Sequence, residues 1–104
     1  MAYRINITPT ALEMLEAIRD QRTRAAIVRR IDALTEEPTK QGNDLRGALA
    51  GFLSVQAAGQ RYRVLYEVDE REQRVVVYLV GIRRQGSRQD VYSLAQRLVR
   101  RGLI

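Results

Sequence analysis

Residues 75–80 form an uninterrupted apolar run, Val-Val-Val-Tyr-Leu-Val, and this run limits the folds that are open to the chain. β-Branched and aromatic residues in such a run are typical of a strand, which we place at Arg74–Ile82. A strand that is apolar on both faces belongs inside a sheet, because each face must be shielded from water. The run therefore predicts a central strand that is covered on both faces.

The residues around this strand predict an α+β fold. Thr8 and Pro9 are typical of a helix N-cap and first helical position, and Ser87-x-x-Asp90 resembles a capping box before the last helix. The order β-α-α-β-β-β-α predicts an antiparallel sheet with an N-terminal helical hairpin packed on one face. Apolar periodicity gives strands at 2–8, 52–58 and 61–68, helices at 9–19, 23–36 and 88–101, a polar loop at 39–44, and an irregular segment or single helical turn at 45–51.

The composition excludes several kinds of chemistry. The 104 residues contain no cysteine and no histidine, so a thiolate nucleophile, a Cys-based zinc site and the commonest general base are absent. We expect no metal and no small-molecule cofactor. The length fits a single domain over residues 1–104. No stretch approaches the roughly 20 apolar residues of a membrane span, and no signal-peptide pattern is present, so we expect a cytoplasmic protein without a membrane partner.

The charge indicates an acidic partner. The formal net charge is +6, and all but one of the 18 basic residues are arginine, the exception being Lys40. Guanidinium groups form planar, bidentate contacts with phosphate and carboxylate and stack on aromatic rings. Nucleic acid or an acidic protein is therefore the expected partner. The alternative is a solvated surface from an organism whose proteins are rich in arginine.

Arginines concentrate where two predicted strands meet. Arg61 and Arg63 share one face of strand 61–68, and the opposite face is apolar and predicted to pack on the helical hairpin. Arg83 and Arg84 follow the central strand, and Tyr92 begins the last helix. If the strands pair, these side chains meet at one place. Guanidinium groups can bind a phosphate backbone, and an aromatic ring beside them can stack on a base.

Each of these residues also has a structural interpretation. Arg61 and Arg63 can belong to a solvated strand end. Arg83 can form an ion pair with Asp90 or Glu67, and Tyr92 can be part of the core.

The element order and three motifs resemble the RelE/ParE toxins of bacterial type II toxin–antitoxin pairs, over nearly the whole chain. The resemblance implies a cognate antitoxin, expected to be an acidic, partly disordered segment that folds as helix and strand over the basic surface. The motifs are Leu45-Arg46-Gly47, Tyr62-Arg63-Val64-Leu65-Tyr66, and Gly81-Ile82-Arg83 followed by Asp90-Val91-Tyr92.

Resemblance to RelE-type members implies an endoribonuclease that enters the ribosomal A site and cuts the mRNA there. Arg63 then corresponds to a site arginine, Arg83 to the arginine that stabilises the transition state, and Tyr92 to the tyrosine near the scissile phosphate. The remaining candidates for RNA binding are Arg61, Arg84, Arg46 and Arg88.

Resemblance to ParE-type members implies instead a poison of DNA gyrase that does not cleave RNA. RelE itself carries basic residues, including lysines, on the strand that corresponds to 52–58, and here that strand reads Phe-Leu-Ser-Val-Gln-Ala-Ala without a cation. The expected general base is therefore missing from its place. An mRNA endoribonuclease, a gyrase inhibitor and a toxin fold that only binds a partner all stay open.

Overall fold

The computed structural model describes residues 2–104 and has a five-stranded sheet with helices on both faces. Two 3₁₀ turns, Ala33–Thr35 and Gly47–Leu49, complete the regular structure. The elements in chain order are β1 (Arg4–Ile7), α1 (Pro9–Glu16), α2 (Gln21–Asp32), α3 (Pro38–Gln41), β2 (Asn43–Asp44), β3 (Leu53–Ala57), β4 (Tyr62–Asp69), β5 (Arg74–Ile82) and α4 (Val91–Arg100).

The sheet order is β1-β5-β4-β3-β2, which confirms the predicted α+β fold and the internal position of β5. β2, β3, β4 and β5 are antiparallel to their neighbours, but β1 pairs with β5 in parallel, so the fully antiparallel prediction was wrong for one strand. The hairpin of α1 and α2 separates β1 from the other strands along the chain. Alternation of apolar residues identifies a strand but carries no information about its direction.

Two apolar cores lie on opposite faces of the sheet, because α1 and α2 cover one face and α4 covers the other. Val64 and Tyr66 of β4 pack against the helical hairpin, as predicted. Leu65 lies on the opposite face, the one predicted to carry Arg61 and Arg63, yet its side chain is fully buried against α4. An amphipathic helix at the C-terminus can cover either face, and its apolar pattern does not indicate which one.

A bulge in β5 adapts the strand to both cores. Leu65 and Tyr66 of β4 pair with Leu79 and Val77, so β5 carries one extra residue, Tyr78. Val77 therefore faces the helical hairpin, whereas Tyr78 and Leu79 both face α4. The bulge therefore lets β5 supply apolar residues to both cores.

The helix boundaries follow local hydrogen bonds. Thr8 caps α1 as predicted, because its hydroxyl accepts the Ala11 N–H at 3.2 Å. The predicted capping box of the last helix was wrong, since α4 is capped by Asp90 rather than Ser87. α1 also ends earlier than expected, at Glu16, and α2 begins two residues earlier than predicted because Asp20 caps it.

The predicted polar loop at 39–44 is instead the short helix α3 followed by β2. The buried Tyr66 hydroxyl donates a hydrogen bond of 2.7 Å to the Pro38 carbonyl, which fixes this segment to the sheet. The segment 45–51 contains a single 3₁₀ turn, in agreement with the prediction. No helix within residues 2–104 is both long and apolar enough to cross a bilayer.

Gly81 of β5 allows the start of α4 to approach the sheet closely. A Cβ atom at this position would lie 2.9 Å from Val91 Cγ2 and 3.0 Å from Val91 Cβ. Val91 is fully buried and has little room to move. The absence of a side chain at position 81 therefore decides how near the N-terminus of α4 sits to β5.

Replacing Gly81 with alanine should lower the free energy of unfolding by about 1–3 kcal/mol, because the new methyl group overpacks the contact with Val91. Urea denaturation measures this loss. The control is Val91→Ala, alone and in the Gly81→Ala background, where the double variant should lose less stability than the two single losses added together. Additive losses would show that the two residues do not compete for the same space.

Candidate anion-binding site

Asp90 joins the end of β5 to the start of α4. Its Oδ2 accepts the backbone N–H groups of Tyr92 at 3.0 Å and Ser93 at 3.4 Å, and thereby caps α4. Its Oδ1 accepts the Arg83 Nη1 at 2.8 Å and the Arg84 backbone N–H at 2.6 Å. The side chain is only 2% exposed, so one buried carboxylate holds both segments.

The ionised form of Asp90 is favoured by these partners. Burial acts to raise the pKa of the carboxyl, but hydrogen bonds from Arg83 and from the Arg84 and Ser93 N–H groups, together with the positive charge of Arg83, lower it below its ordinary value. The carboxylate therefore stays charged at neutral pH, and it compensates part of the charge of Arg83.

Tyr92 lies between Arg83 and β3. The Arg83 Cζ is 4.7 Å from the centre of the Tyr92 ring, which is a cation–π geometry. At the far end of the ring, the Tyr92 hydroxyl and the Ser54 Oγ are 2.7 Å apart, and either oxygen can donate the hydrogen bond. The tyrosine is half-buried, so it contributes to the core as well as to this contact.

Strand pairing brings Arg61 and Arg63 to the same end of the sheet. The Arg83 N–H donates to the Arg61 carbonyl at 2.7 Å, which continues the ladder beyond β5. Arg63 lies opposite Gly81 on β5 and Gln56 on β3. Since Gly81 faces α4, Arg63 lies on the α4 side of the sheet.

The predicted residues are only partly brought together by direct contacts. Arg83 and Tyr92 are in contact, and the ion pair of Arg83 with Asp90 that we considered as a structural alternative is formed. The Arg63 guanidinium folds back over the turn between β3 and β4, where it donates to the Gln60 carbonyl at 2.6 Å and the Tyr62 carbonyl at 3.2 Å.

The other candidates are exposed arginines at the edge of this site or away from it. Arg61 and Arg84 are exposed beside the ladder, and Arg88 is exposed in the loop before α4, where its carbonyl accepts a hydrogen bond from the Arg97 guanidinium. Arg46 precedes the second 3₁₀ turn. In the part of the chain that the structure describes, no hydrogen bond connects Arg46 to Arg83 or Tyr92.

Sequence reasoning missed Ser54 and the full role of Asp90. Ser54 was noted only as part of a strand without cations, although a small polar residue between two large apolar ones is a signal of a buried hydrogen bond. Asp90 was considered as a capping residue and as a partner of Arg83, but not as both at once. Across residues 2–104, no three potential metal-ligating side chains come together.

Comparison with known proteins identifies the kind of fold. A family model described as the ParE toxin of type II toxin–antitoxin systems, parDE, matches residues 5–86. A chain of the RelBE2 toxin–antitoxin complex from Mycobacterium tuberculosis is 34% identical, with 80% of this chain and 93% of that chain covered and a TM-score of 0.71. A search of curated proteins gave no significant match.

Two structures of arginine-to-alanine double mutants of the Escherichia coli toxin RelE are also similar. The free toxin is 21% identical, with 96% of this chain and 98% of that chain covered and a TM-score of 0.72, which supports the fold alone. The toxin bound to a peptide of the antitoxin RelB is 25% identical, with 91% and 95% covered and a TM-score of 0.68.

Replacing Asp90 with asparagine should lower the free energy of unfolding at pH 7 by about 1.5–3 kcal/mol, because hydrogen bonds to a charged group are lost while a good N-cap residue is kept. The pKa of Asp90 is lower in the folded chain than its ordinary value. The carboxylate therefore stabilises the fold fully above about pH 4–5, and this contribution is lost as the pH falls through the folded-state pKa.

The measurement is urea denaturation of both proteins between pH 7 and pH 2. The difference between them should shrink as the pH falls below about 4, since the other carboxylates titrate equally in both proteins. A difference that stays constant over this range would contradict the assignment of the stabilisation to the charge of Asp90.

Proposed function

Given that this chain belongs to the RelE/ParE superfamily of toxins of type II toxin–antitoxin systems, we propose that it is a ribosome-dependent endoribonuclease that cleaves mRNA. The observation that carries the proposal is the contact of Arg83 with Tyr92 at a strongly basic end of the sheet. The whole chain, residues 1–104, is proposed as one toxin domain.

The charge around this contact favours a phosphate ligand. Five arginines lie near one end of the sheet together with Asp90, whereas the turn between β4 and β5 at the opposite end carries three acidic residues beside Arg71 and Arg74. Such an uneven distribution orients a polyanion toward the basic end. The five arginines are Arg61, Arg63, Arg83, Arg84 and Arg88, and the acidic residues of the turn are Asp69, Glu70 and Glu72.

The ion pair with Asp90 leaves Arg83 able to bind phosphate. A guanidinium group has five N–H donors, and the pair with Asp90 uses only Nη1. The Arg83 side chain is 30% exposed, so its remaining donors can be reached from solvent. Asp90 thus fixes the direction of the guanidinium without occupying all of it, which is the condition for a preorganised electrostatic contact.

The proposed reaction uses the RNA as its own nucleophile. The 2′-oxygen attacks the adjacent phosphorus and forms a 2′,3′-cyclic phosphate, while the bond to the 5′-oxygen breaks and leaves a 5′-hydroxyl. Arg83 stabilises the charge that develops on the non-bridging oxygens, and Arg63, released from the Gln60 and Tyr62 carbonyls, adds a second guanidinium. The proton of the 2′-hydroxyl passes to solvent, and solvent protonates the 5′-oxygen. Docking on the ribosome supplies orientation of the message.

An acidic antitoxin is the second proposed partner. The similar Mycobacterium tuberculosis chain comes from a toxin–antitoxin complex, and one Escherichia coli RelE structure contains an antitoxin peptide. The exposed arginines of this chain suit an acidic segment that folds on binding. Binding there would compensate the charge that the proposed RNA site requires.

Inhibition of DNA gyrase is the second candidate function, and the composition of β3 favours it. Gln56, which lies opposite Arg63, is the exposed residue of β3, and the strand carries no cation. A site without a basic residue on β3 lacks one means of assisting proton transfer, because arginine stays protonated. A toxin that acts by binding gyrase would not need such a group.

Arg83→Ala should lower mRNA cleavage by about 10²–10³-fold, because one preorganised donor to the developing charge is removed. Arg63→Ala should lower cleavage in the same direction. The measurement is translation with purified ribosomes, followed by mapping of the mRNA ends by primer extension. The matched control is Arg71→Ala, which removes one exposed arginine from the opposite end of the sheet.

Retained cleavage in both site variants would overturn the assignment of these arginines. Intact mRNA with the unaltered protein, combined with loss of gyrase supercoiling, would replace the proposed function by the gyrase alternative. Loss of activity in Arg71→Ala as large as in Arg83→Ala would indicate that total charge, rather than the site, controls the reaction.

A further inference from the structure

Ser54 and Asp90 are the two polar or charged residues, apart from tyrosine, that are buried in residues 2–104. Burial of a hydroxyl or a carboxylate is unfavourable unless its hydrogen bonds are satisfied. Both residues meet this condition through the same pair of side chains, because Asp90 bonds Arg83 and Ser54 bonds Tyr92. Each of these two buried side chains thus bonds one member of the pair Arg83 and Tyr92.

Tyr92 is anchored through its backbone and through its side chain. Its backbone N–H donates to Asp90 at the start of α4, and its hydroxyl is bonded to Ser54 on β3. The ring face between these two anchors carries the Arg83 guanidinium at 4.7 Å. The two anchors fix the position of the ring, so the ring serves as a platform on which the Arg83 guanidinium lies.

The hydroxyl of Tyr92 is turned toward the interior of the protein. Its partner, the Ser54 hydroxyl, belongs to a side chain that is 3% exposed, and the two oxygens are 2.7 Å apart. The Arg83 guanidinium lies over the face of the same ring, away from the hydroxyl end. The geometry therefore separates the ring, which contacts Arg83, from the hydroxyl, which contacts Ser54.

We propose that Ser54 is a positioning residue of the site, and that Tyr92 acts through its ring as a platform for Arg83 rather than through its hydroxyl. The expected effect on RNA cleavage rests on the proposed function, whereas the expected effect on the orientation of Arg83 does not. It makes Ser54 the residue by which uncharged β3 contributes to the site. It also assigns the Tyr92 hydroxyl to anchoring, not to proton transfer.

The test compares Ser54→Ala, Ser54→Thr, Tyr92→Phe, Tyr92→Ala and the double variant Ser54→Ala/Tyr92→Phe. Two quantities are measured in each: mRNA cleavage on purified ribosomes, and the chemical shift of the Arg83 Nε–H group in ¹⁵N-labelled toxin, which the ring current of Tyr92 displaces. Tyr62→Phe is the matched control, since Tyr62 packs against the helical hairpin on the other face of the sheet.

Ser54→Ala and Tyr92→Phe should each lower cleavage by about 5–10-fold, the effect of one hydrogen bond, and each should move the Arg83 signal part of the way toward its free position. The double variant should be no worse than either single variant, because both delete the same bond. Ser54→Thr keeps a hydroxyl and should restore both readouts. Tyr92→Ala should approach the loss of about 10²–10³-fold expected for Arg83→Ala.

Two results would overturn the inference. One is a loss in Tyr92→Phe as large as in Tyr92→Ala with the Arg83 signal unchanged, which would assign the chemistry to the hydroxyl. The other is a Ser54→Ala variant with unaltered cleavage and an unaltered Arg83 signal. If the unaltered toxin leaves mRNA intact, the proposed function fails by itself, and the Arg83 signal then decides the role of Ser54.

Discussion

A single buried carboxylate, Asp90, determines the arrangement of this protein's proposed site. Its two oxygens accept four hydrogen bonds, two from the start of α4 and two from the segment that follows β5. Without these bonds, α4 would lose its N-cap, and the Arg83 guanidinium would no longer be held in a fixed orientation. Gly81 adds a steric condition, because only a residue without a side chain lets α4 come this near. Stability and site geometry therefore depend on the same few contacts.

The antiparallel pairing of β4 and β5 places the arginines of the proposed site at one side of the sheet. β4 begins at the side of the sheet where β5 ends, so the arginines at the start of β4 and after β5 lie there. The turn between the two strands, with its three acidic residues, lies at the other side. Membership of the RelE/ParE superfamily supplies the biological setting, that of a toxin. The proposal that RNA is the target rests on the arginine–tyrosine contact, and the uncharged β3 is the feature that favours gyrase.

Local patterns in the sequence predicted what depends on neighbours along the chain. The apolar run of β5 gave its internal position, and Thr8 gave the start of α1. Contacts between distant segments were beyond such reasoning: the parallel pairing of β1, the burial of Leu65 under α4, and the bond of Ser54 to Tyr92, which spans 38 positions. Arg63 shows a second limit, because a strand pattern indicates the face of a side chain but not that its guanidinium folds back onto a turn.

The most direct test of this account is the coupling energy between Arg83 and Asp90, measured by urea denaturation of Arg83→Ala, Asp90→Ala and the double variant at pH 7. The account predicts that the losses in the free energy of unfolding are strongly non-additive, with a coupling energy above about 1 kcal/mol, because Arg83 and Asp90 form a hydrogen-bonded ion pair. Effects that add within about 0.3 kcal/mol would show that the two residues act independently. The proposed site would then lose the interaction that fixes Arg83 over Tyr92.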